Sequence, residues 1–292
     1  MNTIPNVILD TDAYNEIDDQ FAISYLLRSS DKIKTLSINA APFFNPNSSS
    51  PADGMEKSYH EIYKILDLCG KSAEEIPVFR GSTDYLKSET EPVISDAADN
   101  IIRTAKNYSP ENPLYVVAIG AITNVASALI SAPEIAENLV IVWLGGHARH
   151  WHDTKEFNMM QDIAAARVVI GSKAKFVQLP CFGVVSAFTV SGDELEKRLF
   201  GKNPLADYLA KNTVTEAESY AKGKPWTRPI WDVTAVAWLT DKDRFMLYQT
   251  LPRLLPDYDN KYEETPLSSD MEYVYYIDRD ALMEDLFEKL LK

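Results

Sequence analysis

The sequence predicts an α/β protein with a mostly parallel central sheet flanked by helices. Two observations predict it. Short apolar runs rich in β-branched residues alternate with longer amphipathic segments, and glycine or acidic residues recur directly after those runs. A chain of 292 residues that is 46% hydrophobic buries a large core, and with no repeat, low-complexity tract or Gly/Ser linker it reads as one domain, residues 1–292.

The elements follow in order. Asn6 to Asp10 places Val7, Ile8 and Leu9 in a first strand, and Asp19 to Arg28 follows as a helix. Lys34 to Asn39 is a second strand, Asn45 to Pro51 one long loop rich in Asn, Ser and Pro, and Gly54 to Leu68 a helix. Ile76 to Arg80 is a strand, Ser95 to Tyr108 a helix, Leu114 to Ile119 a strand and Thr123 to Ser131 a helix. Leu139 to Leu144 is apolar throughout and reads as a strand, followed by a helix at Asp162 to Ile170 and a strand at Lys175 to Leu179. The carboxyl half is less periodic. Helices at Gly192 to Leu199, Pro204 to Asn212 and Val233 to Leu239 precede an antiparallel pair, Phe245 to Leu251 and Met271 to Ile277, and a last helix at Asp280 to Leu291.

Charge narrows the partners. With 29 Lys+Arg against 43 Asp+Glu the formal charge is -14, which repels nucleic acid polymers but suits a cation or a neutral small molecule. Cys69 and Cys181 lie in apolar settings without metal-ligand spacing and read as buried free thiols. The start, Met1-Asn2-Thr3-Ile4-Pro5, has no basic segment before a long apolar run, and no stretch approaches the ~20 apolar residues of a membrane span, so a cytoplasmic protein without membrane contact is expected.

In an open parallel sheet ligands gather beyond the carboxyl ends of the strands. The first strand runs into Asp10-Thr11-Asp12-Ala13-Tyr14-Asn15-Glu16-Ile17-Asp18-Asp19. Four aspartates and a glutamate so close repel one another unless a cation intervenes, and hard oxygen ligands suit Ca²⁺ or Mg²⁺. Helix capping by Asp18 or Asp19, with Asp10 and Asp12 as turn residues, accounts for the same residues without a metal. Gly120 allows a tight turn that frees the Ile119 carbonyl to ligate a cation. Gly145-Gly146 leads into a loop holding His147, His150 and His152, then Glu156-Phe157-Asn158. Asp232, ahead of an apolar helix, is a ligand or an N-cap.

Taken together, the acidic loop, Gly120-Ala121-Ile122-Thr123-Asn124, Gly145-Gly146, Glu156-Phe157-Asn158 and the late Asp232 resemble the inosine-uridine nucleoside hydrolase family over roughly residues 5 to 240. Pro77 to Gly81 and Ala132 to Ile135 add weaker matches. The resemblance implies a nucleoside hydrolase-like fold and a calcium ion held by Asp12, Asp19, the Ile119 carbonyl and Asp232. It also implies Asp12 as the general base for the attacking water, and Asp18, Glu156 and Asn158 as ribose contacts, with Asp10 ordering the site from behind. The substrate class implied is a ribonucleoside or related N-riboside, as in nucleoside salvage, and the assembly a homodimer or homotetramer.

The sequence departs from the family at three places. Five residues, Ala13 to Ile17, separate Asp12 from Asp18, where the family has three, so the loop must bulge and project Tyr14 or Asn15. After the second strand the usual Gly-Asn is absent, leaving its contact to Asn39, Asn45 or nothing. Trp231 stands where the family commonly has a histidine that protonates the leaving base; its face can stack on a base, but it offers no useful proton. His147, His150 and His152 are then the candidates for leaving-group activation, and His150 falls near a position where the family often has a ribose-contacting asparagine. Trp226 also flanks the Asp232 motif, Trp143 and Trp238 read as core, and His60 as structural. Two other readings compete: a haloacid-dehalogenase-like Mg²⁺ phosphatase with Asp10 as nucleophile, and a non-catalytic calcium-dependent nucleoside sensor.

Overall fold

The computed structural model describes residues 4–292; Met1, Asn2 and Thr3, the start of the N-terminal stretch read above, lie outside the described residues. The strands are β1 (Asn6–Thr11), β2 (Lys34–Ala40), β3 (Val78–Phe79), β4 (Leu114–Ala118), β5 (Leu139–Leu144), β6 (Lys175–Leu179), β7 (Thr189–Ser191), β8 (Thr227–Pro229), β9 (Met246–Pro252) and β10 (Asp270–Ile277). Eight of them form one sheet in the order β3-β2-β1-β4-β5-β6-β10-β9, while β7 and β8 pair separately. All neighbours in the large sheet are parallel except β9 and β10, the antiparallel pair expected from the sequence.

Among the described residues ten α-helices connect and cover these strands: α1 (Asp18–Leu27), α2 (Pro51–Leu68), α3 (Asp96–Ala105), α4 (Thr123–Ser131), α5 (Phe157–Gln161), α6 (Ile163–Gly171), α7 (Gly192–Arg198), α8 (Pro204–Ala221), α9 (Val233–Phe245) and α10 (Arg279–Leu290). Alternate residues of each strand feed two apolar layers. On β5, Val140, Val142 and Leu144 join Phe21 of α1, Ile62 of α2, Leu209 of α8, Val236 of α9 and Leu286 of α10. Leu139, Ile141 and Trp143 join Ile101 of α3, Val125 of α4 and Val169 of α6 on the other face. A strand covered on both sides has no polar face, which is why Leu139–Leu144 is apolar throughout.

Most helix starts are fastened by side chains. Ser50, Ser95, Asp162, Asn203 and Asp278 accept hydrogen bonds from the first turns of α2, α3, α6, α8 and α10, and Ser191 with Glu194 forms a capping box on α7. By contrast α1 and α9 begin with no side-chain cap, although Asp18, Asp19 and Asp232 stand at their starts. Helix α8 runs nine residues past its expected end, to Ala221. In α9 the backbone turns non-helical at Asp241, two residues beyond the expected end at Leu239, before the last turn leads into β9.

Among the strand connections, β2 and β3 lie on one side of β1 and β4, β5 and β6 on the other, so the order reverses between β1 and β4. Ligands of open parallel sheets bind in the crevice at such a reversal. Besides the β6-β10 ladder, one buried residue fastens the β9-β10 edge: Arg253 donates to the carbonyls of Ile170, Ser172 and Ala174 beyond and at the end of α6, and to Asp270 at the start of β10. Its removal strands those carbonyls. We expect Arg253→Met to lower stability by about 2–4 kcal/mol in urea unfolding while leaving activity per folded molecule unchanged; a loss below about 0.5 kcal/mol contradicts the pinning role.

Candidate active site

At the reversal, β1 delivers Asp10, Thr11 and then Asp12, and β4 ends beside them with Asp10 in register with Ala118. The Asp12 side chain is wholly buried, and both of its carboxylate oxygens lack a hydrogen-bond partner. Gly120 makes room for it, because a Cβ there would sit 3.0 Å from Asp12 Oδ1 and 3.1 Å from its carboxyl carbon. The glycine expected for a tight turn therefore also clears space for a carboxylate.

Asp18, Asp19 and Asp232 each offer a carboxylate oxygen, all within 4.8 Å of one another, and all three are buried. Asp18 belongs to this group alongside the Asp19 and Asp232 expected as ligands. Asp232 stands at the N-cap of α9 but makes no capping bond; its carboxyl reaches Asp19 instead. Asp19 is held by Thr11 Oγ1, which donates to its Oδ1 at 2.5 Å. Burial is the main cause of raised pKa values throughout: Asp19 is pushed up to about 7, and Asp12, Asp18 and Asp232 well above the ordinary carboxylate range, helped by their mutual repulsion.

Asp10 lies behind this group. Asn124, from the Gly-x-x-Thr-Asn motif, donates from Nδ2 to Asp10 Oδ2 (3.0 Å) and to the Ala40 carbonyl (3.1 Å), and its Oδ1 accepts from the Ser82 backbone (2.7 Å). One side chain thus ties together the ends of three neighbouring strands. Burial raises Asp10 to about 7. Asp10, like Asp12, is fully enclosed and outside the cavity lining.

The cavity in front of the aspartates has a volume of about 210 Å³, below the ~300–1,000 Å³ of drug-sized sites and suited to a sugar. It is lined by Asp18, Asp19, Asp232, the Ile119 segment, Glu156 and Asn158, and further by Asn15, Glu16, His147, Phe182 and Trp231. Asn158 Nδ2 donates to the carbonyls of Ile119 (3.3 Å) and Leu144 (3.0 Å), joining the ends of β4 and β5. Glu156 caps the unforeseen short helix α5: its carboxylate accepts from the backbones of Asn158, Met159 and Gly146, and burial lifts its pKa to about 7.

The longer spacer brings Asn15 and Glu16 to the cavity and leaves Tyr14 exposed. Asn45 donates to Asn15 Oδ1 at 2.6 Å and Asn47 to the Asn15 carbonyl at 3.0 Å, whereas Asn39 is buried against Asn100. Glu16 pairs with Arg228 (2.5 Å), which also pairs with Glu216 (3.0 Å) and stacks 5.0 Å over Trp231. Burial works against the Arg228 charge, yet Asp18, Glu16 and Glu216 hold it firmly protonated. Sequence reasoning missed Arg228; the only available signal was its place four residues before Asp232. Of the three loop histidines, His147 alone lines the cavity and is buried, while His150 and His152 are exposed. His150 lies against Gly183, outside the lining.

Among the described residues no helix is long and apolar enough to cross a membrane. Residues 7–274 match the family described as inosine-uridine preferring nucleoside hydrolase. The pyrimidine-specific ribonucleoside hydrolase RihA of Shewanella woodyi is 26% identical over 272 residues, covering 83% of this chain and 81% of its own length. RihA of an Enterobacter species is 27% identical, covering 82% and 80%. The purine-preferring ribonucleoside hydrolase from Gardnerella vaginalis shares the fold with a TM-score of 0.79 at 22% identity, covering 98% of both chains. With that match spanning the acidic loop, both glycine turns and Asp232, the chain belongs to the inosine-uridine preferring nucleoside hydrolase family and is an N-glycosidase.

Proposed function

We propose that this chain is a calcium-dependent hydrolase of ribonucleosides or closely related N-ribosides, releasing free base and ribose, and that it acts in the cytoplasm as a homodimer or homotetramer. The observation that carries the metal is Asp12: two buried carboxylate oxygens without partners, beside three more buried aspartates. An all-oxygen, strongly anionic donor set suits a hard divalent cation. Asp12, Asp19, Asp232 and the Ile119 carbonyl would hold it, with Asp18 close enough to join them. When bound, calcium supplies a positive charge that neutralises the carboxylates, holds ribose hydroxyls and makes a water more acidic.

The remaining chemistry belongs to the side chains. Asp12 takes the proton of the water that attacks the anomeric carbon. As the C–N bond breaks, positive charge grows on the sugar, and the buried carboxylates around it stabilise that state more than the neutral substrate. Asp18 and Asn158 bind ribose hydroxyls. Glu156, with its oxygens committed to the start of α5, sets the position of Asn158 and borders the sugar. Asp10 fixes the Asp12 loop through Asn124. Trp231 offers an apolar ring face toward the base, and His150, exposed at the rim, is left a contact only with the outer part of a bound substrate. The relatives are named for pyrimidine or purine substrates, so both base classes belong in the test.

Two outcomes are expected. In a panel of purine and pyrimidine ribonucleosides, free ribose appears with calcium and not after chelation. Asp12→Asn keeps the fold and loses about 10³-fold in kcat, and Asp232→Ala weakens calcium binding in a direct titration. Wild-type turnover by Asp12→Asn, or full activity in chelator, contradicts the assignment. The second concerns stability. Asp10, Asp19 and Glu156 rise to about 7 in the metal-free fold, above the roughly 4 of an unfolded carboxylate, so the fold holds more protons than the unfolded chain between those values. Stability from this source is complete below about pH 4 and is lost as pH rises through 7. The gap in melting temperature between calcium-loaded and chelated protein should therefore widen from pH 5 to pH 8; a constant or shrinking gap contradicts the buried, metal-compensated cluster.

A further inference from the structure

The lengthened spacer puts a side chain with an uncommitted donor into the cavity wall. Asn15 is 8% exposed and lines the cavity. Its backbone N–H donates to the Asp12 carbonyl at 2.7 Å, and its own carbonyl accepts from Asn47 Nδ2.

The neighbouring hydrogen bonds settle which end of the Asn15 amide is free. Asn47 donates its backbone N–H to Asn45 Oδ1 at 2.8 Å, so the other end of the Asn45 amide, Nδ2, is the one turned to Asn15. A donor there requires an acceptor opposite, and Asn15 meets it with Oδ1. Asn15 Nδ2 remains as the free group. It has no protein partner among the described residues and, unlike Asn39 Nδ2, is not sealed in.

The groups gathered around the aspartates otherwise offer the wrong half of a hydrogen bond. Glu16, Asp18, Asp19 and Asp232 carry carboxyl groups, which only accept once they are ionised around a cation. Asn158 commits Nδ2 to the Ile119 and Leu144 carbonyls and keeps only Oδ1, an acceptor, for a ligand. A sugar hydroxyl gives one hydrogen but also has lone pairs to fill. A carboxylate takes the hydrogen and a cation takes a lone pair; the remaining lone pair calls for an N–H. Asn15 supplies it from the segment that joins Asp12 to Asp18.

Resting on the hydrolase reading above, we infer that Asn15 Nδ2 donates to the 2′- or 3′-hydroxyl of the ribose, the adjacent pair that a cation can grip together. It thereby takes over the contact left open by the absent Gly-Asn after β2. Asn39 cannot make that contact, being enclosed against Asn100, and Asn45 has turned its donor to Asn15. Bonds to Asp12, Asn45 and Asn47 hold Asn15 before substrate arrives, so the donor is in place at little entropic cost.

The test deletes the donor and, separately, each hydroxyl. Asn15→Ala should lower kcat/KM about tenfold, mostly through KM, on whichever of inosine and uridine the wild type cleaves. On at least one of the 2′-deoxy and 3′-deoxy analogues the same variant should lose less than about twofold, because the partner of Asn15 is already gone. An analogue cleaved too slowly is compared through its inhibition constant instead. Asn15→Asp keeps an oxygen for Asn45 but turns an acceptor to the sugar, and should not recover the loss. The same loss on the nucleoside and on both analogues would mean that Asn15 only supports the loop, as would recovery in Asn15→Asp, and an unchanged kcat/KM in Asn15→Ala would remove it from the reaction; each overturns the inference. Should the wild type release ribose from neither nucleoside, the hydrolase reading itself fails and takes this inference with it, an outcome seen before any variant is compared.

Discussion

Mutual repulsion among buried carboxylates is the constraint on which this structure turns. Asp18, Asp19 and Asp232 lie within 4.8 Å of one another, and at an effective dielectric of about 20 each ionised pair at that separation costs about 3 kcal/mol. Three such pairs amount to about 10 kcal/mol, comparable with the whole folding free energy of a typical domain, and Asp12 adds to the sum. The fold therefore exists with these groups protonated or with a cation among them. The same burden accounts for the missing helix caps. A carboxylate beside α1 or α9 that turned to cap its helix would leave the cluster, and neither helix start is capped by these side chains, although α4 also starts without a side-chain cap.

Sheet topology makes so costly a cluster possible. Asp12 follows β1, Ile119 follows β4, and α1 and α9 bring Asp18, Asp19 and Asp232 to the same end of the sheet. These positions are far apart in sequence, so their convergence depends on strand register, and a small slip would separate them. Asn124 guards against that slip. By joining Asp10, Ala40 and Ser82 it couples the ends of β1, β2 and β3 at the point where the strand order reverses. Asn158 does the same for β4 and β5. Residues of the recognised motifs thus build the frame as well as the site.

The parallel sheet was legible because buried strands and amphipathic helices leave opposite signatures, and β5 and β6 begin and end where the apolar runs do. Local pattern could not decide between cap and ligand for Asp232 or Asp18, since both uses place an acid at a helix start; only the direction of the side chain separates them. Nor could it rank three histidines in an irregular loop, where no period links sequence position to burial. Arg228 and Arg253 were hidden for another reason. Each is a residue type usually found at the surface, and each is buried here with distant carbonyls or carboxylates to satisfy it. Helix α5 was missed because a single turn of five residues is too short to show a helical period.

Two departures from the family pattern, separate in sequence, are one structural change. The spacer between Asp12 and Asp18 is longer by two residues, which would leave a polar loop unsupported at the mouth of an anionic cavity. The altered segment after β2 supplies the support: Asn45 and Asn47 reach across to Asn15. Arg228 anchors the other end through Glu16 and, stacked on Trp231, sets a permanent positive charge beside Asp18. A loop fastened at both ends costs little further entropy when substrate binds. The inserted residues therefore act as a fixed wall of the cavity, and the narrowness of that cavity follows from the same contacts that hold the wall in place.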